Sequence, residues 1–176
     1  MSVPHVHTIY INPTPGKNVV NALTSPVLRG ILDGLRSVPA GTRCIVLTSS
    51  GRTFSAGVDI TGFGAEPEPD ATSLDHVLRE LEDATLPVVA VVPRGYALGG
   101  GLELLLACSH RVLGPDAHVG LPEVRIGLIP GGGGTQRLPR AAGVAAALDV
   151  IVSGRTVGAA EALRLGVADA VAADDG

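Results

Sequence analysis

One stretch of nine residues decides how this chain folds: residues 95–103, with the sequence GYALGGGLE. A short β-branched run at 88–92 precedes it and is closed by Pro93, which predicts a buried strand. A run rich in Leu and Ala at 104–108 follows it and predicts a buried helix. The three glycines between the two runs let the backbone approach a ligand closely with its N–H groups free.

Glu103 falls in the first turn of that predicted helix, directly after the glycines. Free N–H groups at the start of a helix attract negative charge. A single carboxylate on an otherwise apolar helix is costly to bury if it has no role. One interpretation is therefore a catalytic acid or base beside an anion hole. The alternative is that Glu103 only interacts favourably with the N-terminus of its own helix.

Length and composition predict one domain, residues 1–176, with a core of aliphatic side chains. Hydrophobic residues make up 45% of the 176 positions and aromatic residues only 2%, so Val, Leu, Ile and Ala must build that core. The net charge is −4 without a basic cluster, which argues against a nucleic-acid partner. No apolar run reaches membrane-spanning length, so no membrane partner is predicted.

Cysteine and histidine positions indicate a cytoplasmic protein without a metal site. Cys44 and Cys108 both lie in apolar runs, which is typical of reduced core thiols and not of a disulfide or metal pair. Residues 1–5 lack a charged segment followed by an apolar block, so no signal peptide is predicted. His5 and His7 would share a face of a strand, but without a third ligand nearby we expect surface residues and not metal ligands.

The order of the other predicted elements favours an α/β fold with a mainly parallel sheet. Strands are predicted at 6–11, 44–48 and 88–92. Helices that begin at Ser25-Pro26 and after Ser73 alternate with them, which favours parallel strands joined by crossover helices. Later predictions are short strands at 111–113 and 118–121, a helix opened by the glycine run at 131–134, helices at 144–151 and 159–165, and a closing strand or coil at 167–172.

Five motifs in this order resemble the enoyl-CoA hydratase/isomerase (crotonase) family. They are NAL at 21–23, FSAGVDI at 54–60, GYALGGGLE at 95–103, PE at 122–123, and IPG at 129–131 followed by GTQRL at 134–138. The resemblance extends over about residues 17–171. It is especially similar to the hydratase part of bifunctional enoyl-CoA hydratase/3-hydroxyacyl-CoA dehydrogenases. The resemblance implies a crotonase-like spiral of ββα units with mainly parallel sheets.

The resemblance also implies a hydro-lyase reaction, in which water adds to a 2-enoyl-CoA thioester and gives a 3-hydroxyacyl-CoA. The N–H groups of Val58 and Gly100 would hold the thioester carbonyl oxygen, which becomes an enolate. Glu103 and Glu123 match the two glutamates of true hydratases. They would hold a water, take its proton for attack at C3 and deliver a proton to C2. Gly131 would help through its N–H, next to the second glutamate.

Four further residues fall where the family contacts CoA. Ala56, Asp59 and Ile60 line the position where the family binds the adenine end of CoA, and Val20 lies where it touches the CoA arm. Thr61 stands where a basic residue often meets a CoA phosphate. No cofactor is implied, because CoA is part of the substrate.

The expected partners are the acyl-CoA substrate and copies of the same chain, in a homotrimer or hexamer. Family members usually continue for several helices that cover the active site and build the trimer, whereas this sequence ends at Gly176. We therefore expect the C-terminal helical region to be missing and the oligomer to be weakened. Two alternatives to the hydratase stay open. One is an enoyl-CoA isomerase, which generally needs one carboxylate as a proton shuttle, and the other is a catalytically weak acyl-CoA-binding module.

Overall fold

The computed structural model describes residues 5–11, 20–60 and 70–173. Strands and helices alternate along the chain. In order they are β1 (Val6–Ile11), α1 (Ser25–Arg36), β2 (Cys44–Ser49), α2 (Leu74–Glu82), β3 (Val88–Val92), β4 (Gly95–Leu98), α3 (Gly100–Ala107), β5 (His110–Leu113), β6 (Ala117–Gly120), a 3-10 helix (Pro122–Ile126), α4 (Gly134–Ala142), α5 (Val144–Ser153), β7 (Thr156–Gly158), α6 (Ala159–Leu165) and β8 (Ala170–Val171).

Two sheets organise these elements, and the mainly parallel α/β prediction is confirmed. The larger sheet has five strands in the order β1-β2-β3-β5-β8, and every neighbouring pair is parallel. The smaller sheet has the order β4-β6-β7, in which β4 and β6 are parallel while β6 and β7 are antiparallel. Parallel neighbours need long crossover connections, and the helices supply them.

The buried strand and buried helix predicted on either side of the glycines are both present. Val88, Ala90 and Val92 of β3 are fully buried at the centre of the larger sheet. All eight residues of α3 are buried, as expected for a helix that is apolar on every side. Glu103 is consequently only 2% exposed, although it carries a carboxylate.

The two amphipathic helices also form where predicted, with one difference at the start of α1. Helix α1 begins at Ser25, but Thr24 occupies its N-cap position, without a side-chain hydrogen bond. The Ser25 hydroxyl instead accepts the N–H of Thr72 at 2.8 Å and so ties α1 to the segment before α2. Ser73 caps α2, because its hydroxyl accepts the N–H of His76 at 3.2 Å.

Strands β4 and β7 were not predicted, and Glu123 lies in the 3-10 helix that follows β6. No strand is predicted at Gly95–Leu98, yet this stretch pairs with β6 along its whole length. A side chain at Gly95, where φ is +72°, would overlap the carbonyl of Arg52, so this strand runs directly against the turn after β2. The sequence also predicts a loop at 12–17, which is rich in Pro and Gly, and an acidic loop at 66–70. Residues 12–17 and 66–69 lie outside the described residues.

The predictions for cysteine and histidine hold in part. Cys108 is a buried core thiol whose pKa burial raises to about 12, whereas Cys44 is only half-buried. His7 lies in β1, with Nε2 3.1 Å from the carbonyl oxygen of Gly34. His5 precedes the strand at φ 81°, so the predicted shared strand face is wrong for it. None of the helices within the three described ranges is long and apolar enough to cross a bilayer.

Candidate active site

A pocket of about 440 Å³ brings the predicted catalytic residues together. Its walls come from the turn after β2, the starts of α2 and α3, the 3-10 helix and the glycine loop before α4. All five residues predicted to be catalytic line it, namely Val58, Gly100, Glu103, Glu123 and Gly131. Of the predicted CoA contacts, Ala56 and Ile60 line the pocket, while Val20 and Asp59 do not.

The amides of Val58 and Gly100 lie close to each other at one end of the pocket. Gly57 has φ +100°, and a Cβ placed on it would lie 3.4 Å from the nitrogen of Gly100. Gly100 is the first residue of α3, where N–H groups have no partner within the helix. Within the described ranges, the N–H groups of Val58 and Gly100 donate to no other protein group. Two free donors therefore share the electropositive end of a buried helix.

The NAL motif explains why the Val58 amide is held in place. The N–H of Leu23 donates to the carbonyl of Gly57 at 2.8 Å. The Ser55 hydroxyl donates to the carbonyl of Asn21 at 2.7 Å, and the Asn21 amide donates to the carbonyl of Thr53 at 2.6 Å. These bonds join the segment before α1 to the turn that carries Val58.

We expect the Asn21→Ala substitution to lower the free energy of unfolding by about 1–3 kcal/mol, because buried carbonyls lose their donor. Asn21 also has φ 49°, a conformation that Asn tolerates better than Ala. Urea denaturation measures the loss. Ser37→Ala is the control, because the Ser37 hydroxyl is exposed at the end of α1. Equal stability of the Asn21→Ala variant and the parent protein would contradict the assigned role.

Glu103 is held by backbone donors from another helix. Its Oε1 accepts the N–H of Gly134 at 2.8 Å, at the first residue of α4. Burial raises the pKa of Glu103, and the backbone hydrogen bonds from Gly134 and Gly132 oppose that rise. The carboxylate therefore contacts the N-terminus of α4, which differs from the alternative in which it serves only its own helix.

Glu123 is half-buried, and its carboxylate has fewer hydrogen-bond partners than that of Glu103. Its Oε2 is buried and has no hydrogen-bond partner among the described residues. Its Oε1 lies near Gly99, where an added Cβ would be 3.0 Å from that oxygen. Burial raises the pKa of Glu123, and the charge of Glu103 raises it further. The two carboxylates therefore interact across the same pocket, and their environments differ.

The glycine loop before α4 contributes donors that the sequence did not single out. The sequence pointed to Gly131, which lines the pocket, but the hydrogen bonds to Glu103 come from Gly132 and Gly134. No hydrogen bond joins Gly131 to either glutamate in the part of the chain that is described. A side chain on Gly132 would overlap Oε2 of Glu103, so this position has room only for glycine. The run of four glycines was the signal available in the sequence.

The outer wall of the pocket is apolar and solvent-exposed. Ile126, Leu128 and Ile129 are 57%, 38% and 79% exposed and line it together with Leu74. Such a wall suits an apolar ligand segment, with polar groups gathered at the other end. Arg125 and Asp75 are the charged residues beside the two glutamates in this lining.

Two of the predicted CoA contacts lie outside this pocket. Val20 is exposed, and its carbonyl accepts the N–H of Ala56 at 2.9 Å. Asp59 is half-buried between Val58 and Ile60. Thr61 lies outside the described residues. Across the described ranges, no group of three or more His, Cys, Asp and Glu side chains is arranged to hold a metal ion.

Comparison with known proteins identifies the family. The model of the enoyl-CoA hydratase/isomerase family matches residues 10–176. This chain belongs to the enoyl-CoA hydratase/isomerase family. The resemblance inferred from the five motifs is thereby confirmed.

Relatives within this family include bifunctional enzymes and hydratases. The chain is 48% identical over 158 residues to the human peroxisomal bifunctional enzyme. The matched segment covers 89% of this chain and 22% of that protein. It is 41% identical over 162 residues to a probable enoyl-CoA hydratase of Bacillus subtilis, covering 88% of this chain and 62% of the relative. The crystal structure of an enoyl-CoA hydratase from Bacillus anthracis superposes with a TM-score of 0.86 at 35% identity, covering 98% of this chain and 68% of that one.

The chain spans only about a fifth of the length of the human bifunctional enzyme. The crotonase-like fold is confirmed by the superposition on the Bacillus anthracis hydratase. Some relatives carry a peroxisomal name, so the cytoplasmic location stays a prediction.

Proposed function

We propose that this chain catalyses the reversible addition of water to a 2-enoyl-CoA thioester, giving a 3-hydroxyacyl-CoA. The observation that carries the proposal is the placement of Glu103 and Glu123 in one pocket with two free amides, those of Val58 and Gly100. Family membership and relatives named as hydratases support it.

The amides would stabilise the charge that develops on the substrate. In this proposal the N–H groups of Val58 and Gly100 bind the thioester carbonyl oxygen, which becomes an enolate oxygen when C3 is attacked. Gly100 stands at the N-terminus of α3, so the helix dipole favours that negative charge. Loss of one such donor typically costs ~10²–10³ in rate. Val58 takes part only through its backbone, so the bulk of its side chain does not conflict with this role.

The two glutamates would divide the proton transfers. Burial raises the pKa of Glu103, but its backbone donors oppose that rise and favour the ionised form. In this proposal Glu103 therefore takes a proton from water as the water oxygen bonds to C3. Burial and the charge of Glu103 favour the protonated form of Glu123, which delivers its proton to C2. The C2–C3 π bond is consumed, one O–H bond of water is broken, and C–O and C–H bonds form. Proton exchange with solvent or between the two acids restores the starting state.

The apolar wall at Ile126, Leu128 and Ile129 would receive the acyl chain. We propose that Ala56, Asp59 and Ile60 contact the adenine end of CoA and Val20 the CoA arm. No separate cofactor enters this proposal, because the activating thioester belongs to the substrate. A homotrimer or hexamer remains the expected assembly.

The hydratase is tested with crotonyl-CoA and the purified protein. We expect a saturable loss of enoyl-thioester absorbance and formation of 3-hydroxybutyryl-CoA. Conversion of a 3-enoyl-CoA into its 2-enoyl isomer without any hydration would favour the isomerase, which needs only one carboxylate. Tight CoA binding without turnover of either substrate would favour the acyl-CoA-binding module. Rates across a series of 2-enoyl-CoA chain lengths then define the acyl specificity.

A further inference from the structure

Arg137 on α4 makes three hydrogen bonds that join two separate elements behind the pocket. Its Nη1 donates to the carbonyl oxygen of Gly132 at 2.6 Å. Its Nε and Nη2 donate to the two carboxylate oxygens of Glu82 at 2.7 Å and 2.8 Å. A two-point arginine–carboxylate pair fixes the plane of the guanidinium group as well as its position. The side chain of Arg137 is only 17% exposed.

The carbonyl that Arg137 holds belongs to the loop that carries the donors for Glu103. Gly134 donates its N–H to that carboxylate at 2.8 Å, and the backbone N–H of Gly132 also lowers the pKa of Glu103. Between them, Gly133 has φ +84°, and a Cβ there would overlap Nη1 of Arg137. The guanidinium therefore lies against the backbone of the loop, and its bond to the Gly132 carbonyl fixes the orientation of the peptide groups around Glu103.

Helix α2 is the other partner of this arrangement. Glu82 is its last residue, and Leu74 at its first residue lines the pocket. A Cβ on Gly132 would lie 2.9 Å from Cδ2 of Leu74, so α2 and the glycine loop meet beside Glu103. At the other end of α2, the Arg137–Glu82 pair joins this helix to α4.

We propose that Arg137, oriented by Glu82, is a positioning residue. It holds the glycine loop before α4 so that the loop amides donate to the carboxylate of Glu103. This inference rests on the proposed hydratase function for its kinetic consequence. Arg137 does not line the pocket, so it acts through the loop and not on the substrate. Its positive charge also lowers the pKa of Glu103, in the same direction as the hydrogen bonds.

Among the described residues, few charged groups surround Glu103, so the effect of a change at Arg137 can be interpreted. Arg137 faces it from α4, Glu123 and Arg125 lie on the 3-10 helix, and Asp75 and Glu82 lie on α2. Helix α3 carries no other charged side chain. Loss of the loop amides and of the nearby positive charge would both raise the pKa of Glu103.

The test compares Arg137→Lys and Glu82→Gln with the parent protein. Lysine keeps the charge but cannot reproduce the guanidinium fork, so we expect Arg137→Lys to lower kcat about 10-fold or more with KM within about twofold. We also expect the acidic limb of the pH profile to move to higher pH, because the base is harder to ionise. Glu82→Gln leaves the hydrogen bond from Arg137 to Gly132 in place. We therefore expect it to lower kcat and to shift the acidic limb to higher pH, but by less than Arg137→Lys does.

Arg155→Lys is the matched control. Like Arg137, Arg155 is paired with acidic side chains, those of Asp149 and Glu161, but it does not line the pocket. We expect it to leave kcat and the pH profile unchanged. A loss of kcat in the control equal to that in Arg137→Lys, or an unmoved acidic limb in Arg137→Lys, would overturn the positioning role.

A measurement without turnover separates this inference from the proposed function. NMR titration of the ¹³C-labelled carboxyl of Glu103, assigned by its loss in Glu103→Gln, should show a higher pKa in Arg137→Lys than in the parent protein. If the parent protein fails to hydrate crotonyl-CoA but this shift is seen, the hydratase proposal falls and the positioning role stands. If the parent protein hydrates crotonyl-CoA and the titration of Glu103 is the same in both proteins, the positioning role falls.

Discussion

Replacing Glu123 by Gln is expected to lower kcat for crotonyl-CoA hydration by about 10²–10⁴-fold, with the fold intact. Gln has nearly the same shape as Glu but can neither give up nor regain a proton at neutral pH. Glu123 is only half-buried and contributes no side chain to the hydrophobic core, so we expect the Gln variant to adopt the same fold. Crotonyl-CoA turnover measures the loss of kcat, and circular dichroism checks that the fold is intact. Unchanged turnover would remove Glu123 from the mechanism.

The same substitution has an expected effect on stability that depends on pH. Because the pKa of Glu123 is raised in the folded protein, the folded state binds more protons than the unfolded chain above the ordinary pKa of Glu. The free energy of unfolding therefore falls as pH rises through that window. Glu123→Gln removes this loss, so its melting temperature should exceed that of the parent protein at pH 8, and the difference should shrink towards pH 4.

A control with the opposite sign is available on the surface. The pKa of Glu161 is lowered by its hydrogen bond to Arg155, so its charged form favours the folded state. Glu161→Gln should therefore lower the melting temperature at pH 8, and this difference too should shrink in acid. If Glu123→Gln were less stable than the parent protein at pH 8, the assigned environment of Glu123 would be wrong.

Much of the fold follows from local sequence patterns. The β-branched run of β3 and the Leu-rich run of α3 predicted their elements, because a strand or helix buried on every side needs apolar residues throughout. Strand β4 could not be predicted because its partner strand, β6, lies about twenty residues away and a run of three glycines follows it directly. Tertiary pairing decided its structure.

The candidate site divides in the same way. Glu103, Glu123 and the amide positions could be placed from motifs, and they share one pocket. The donors to Glu103 could not, because Gly134 is 31 residues away and meets the carboxylate only when α3 and α4 pack together. The role of Arg137 is likewise invisible in sequence, since its partner Glu82 is 55 residues away.

The Gly132→Ala substitution is expected to lower kcat by about 10²-fold, because a misplacement of about 1 Å in a reacting group has a cost of that order. An added Cβ would overlap Oε2 of Glu103 and lie 2.9 Å from Cδ2 of Leu74, so either the carboxylate or the loop must move. Both responses disturb the amides that hold Glu103. Steady-state kinetics with crotonyl-CoA measures the loss, and KM should change much less than kcat.

Gly30→Ala provides the matched control for this prediction. Gly30 lies inside α1 and does not line the pocket. Among the described residues, no atom outside the backbone of its own helix and its chain neighbours stands within 4 Å of its added Cβ. Ala is favoured over Gly within a helix by about 1 kcal/mol, so this variant should be at least as stable as the parent and equally active. Full activity in Gly132→Ala would mean that the loop yields without disturbing Glu103. The close packing of backbone against carboxylate would then be irrelevant to proton transfer, and the case for a preorganised base at Glu103 would fail with it.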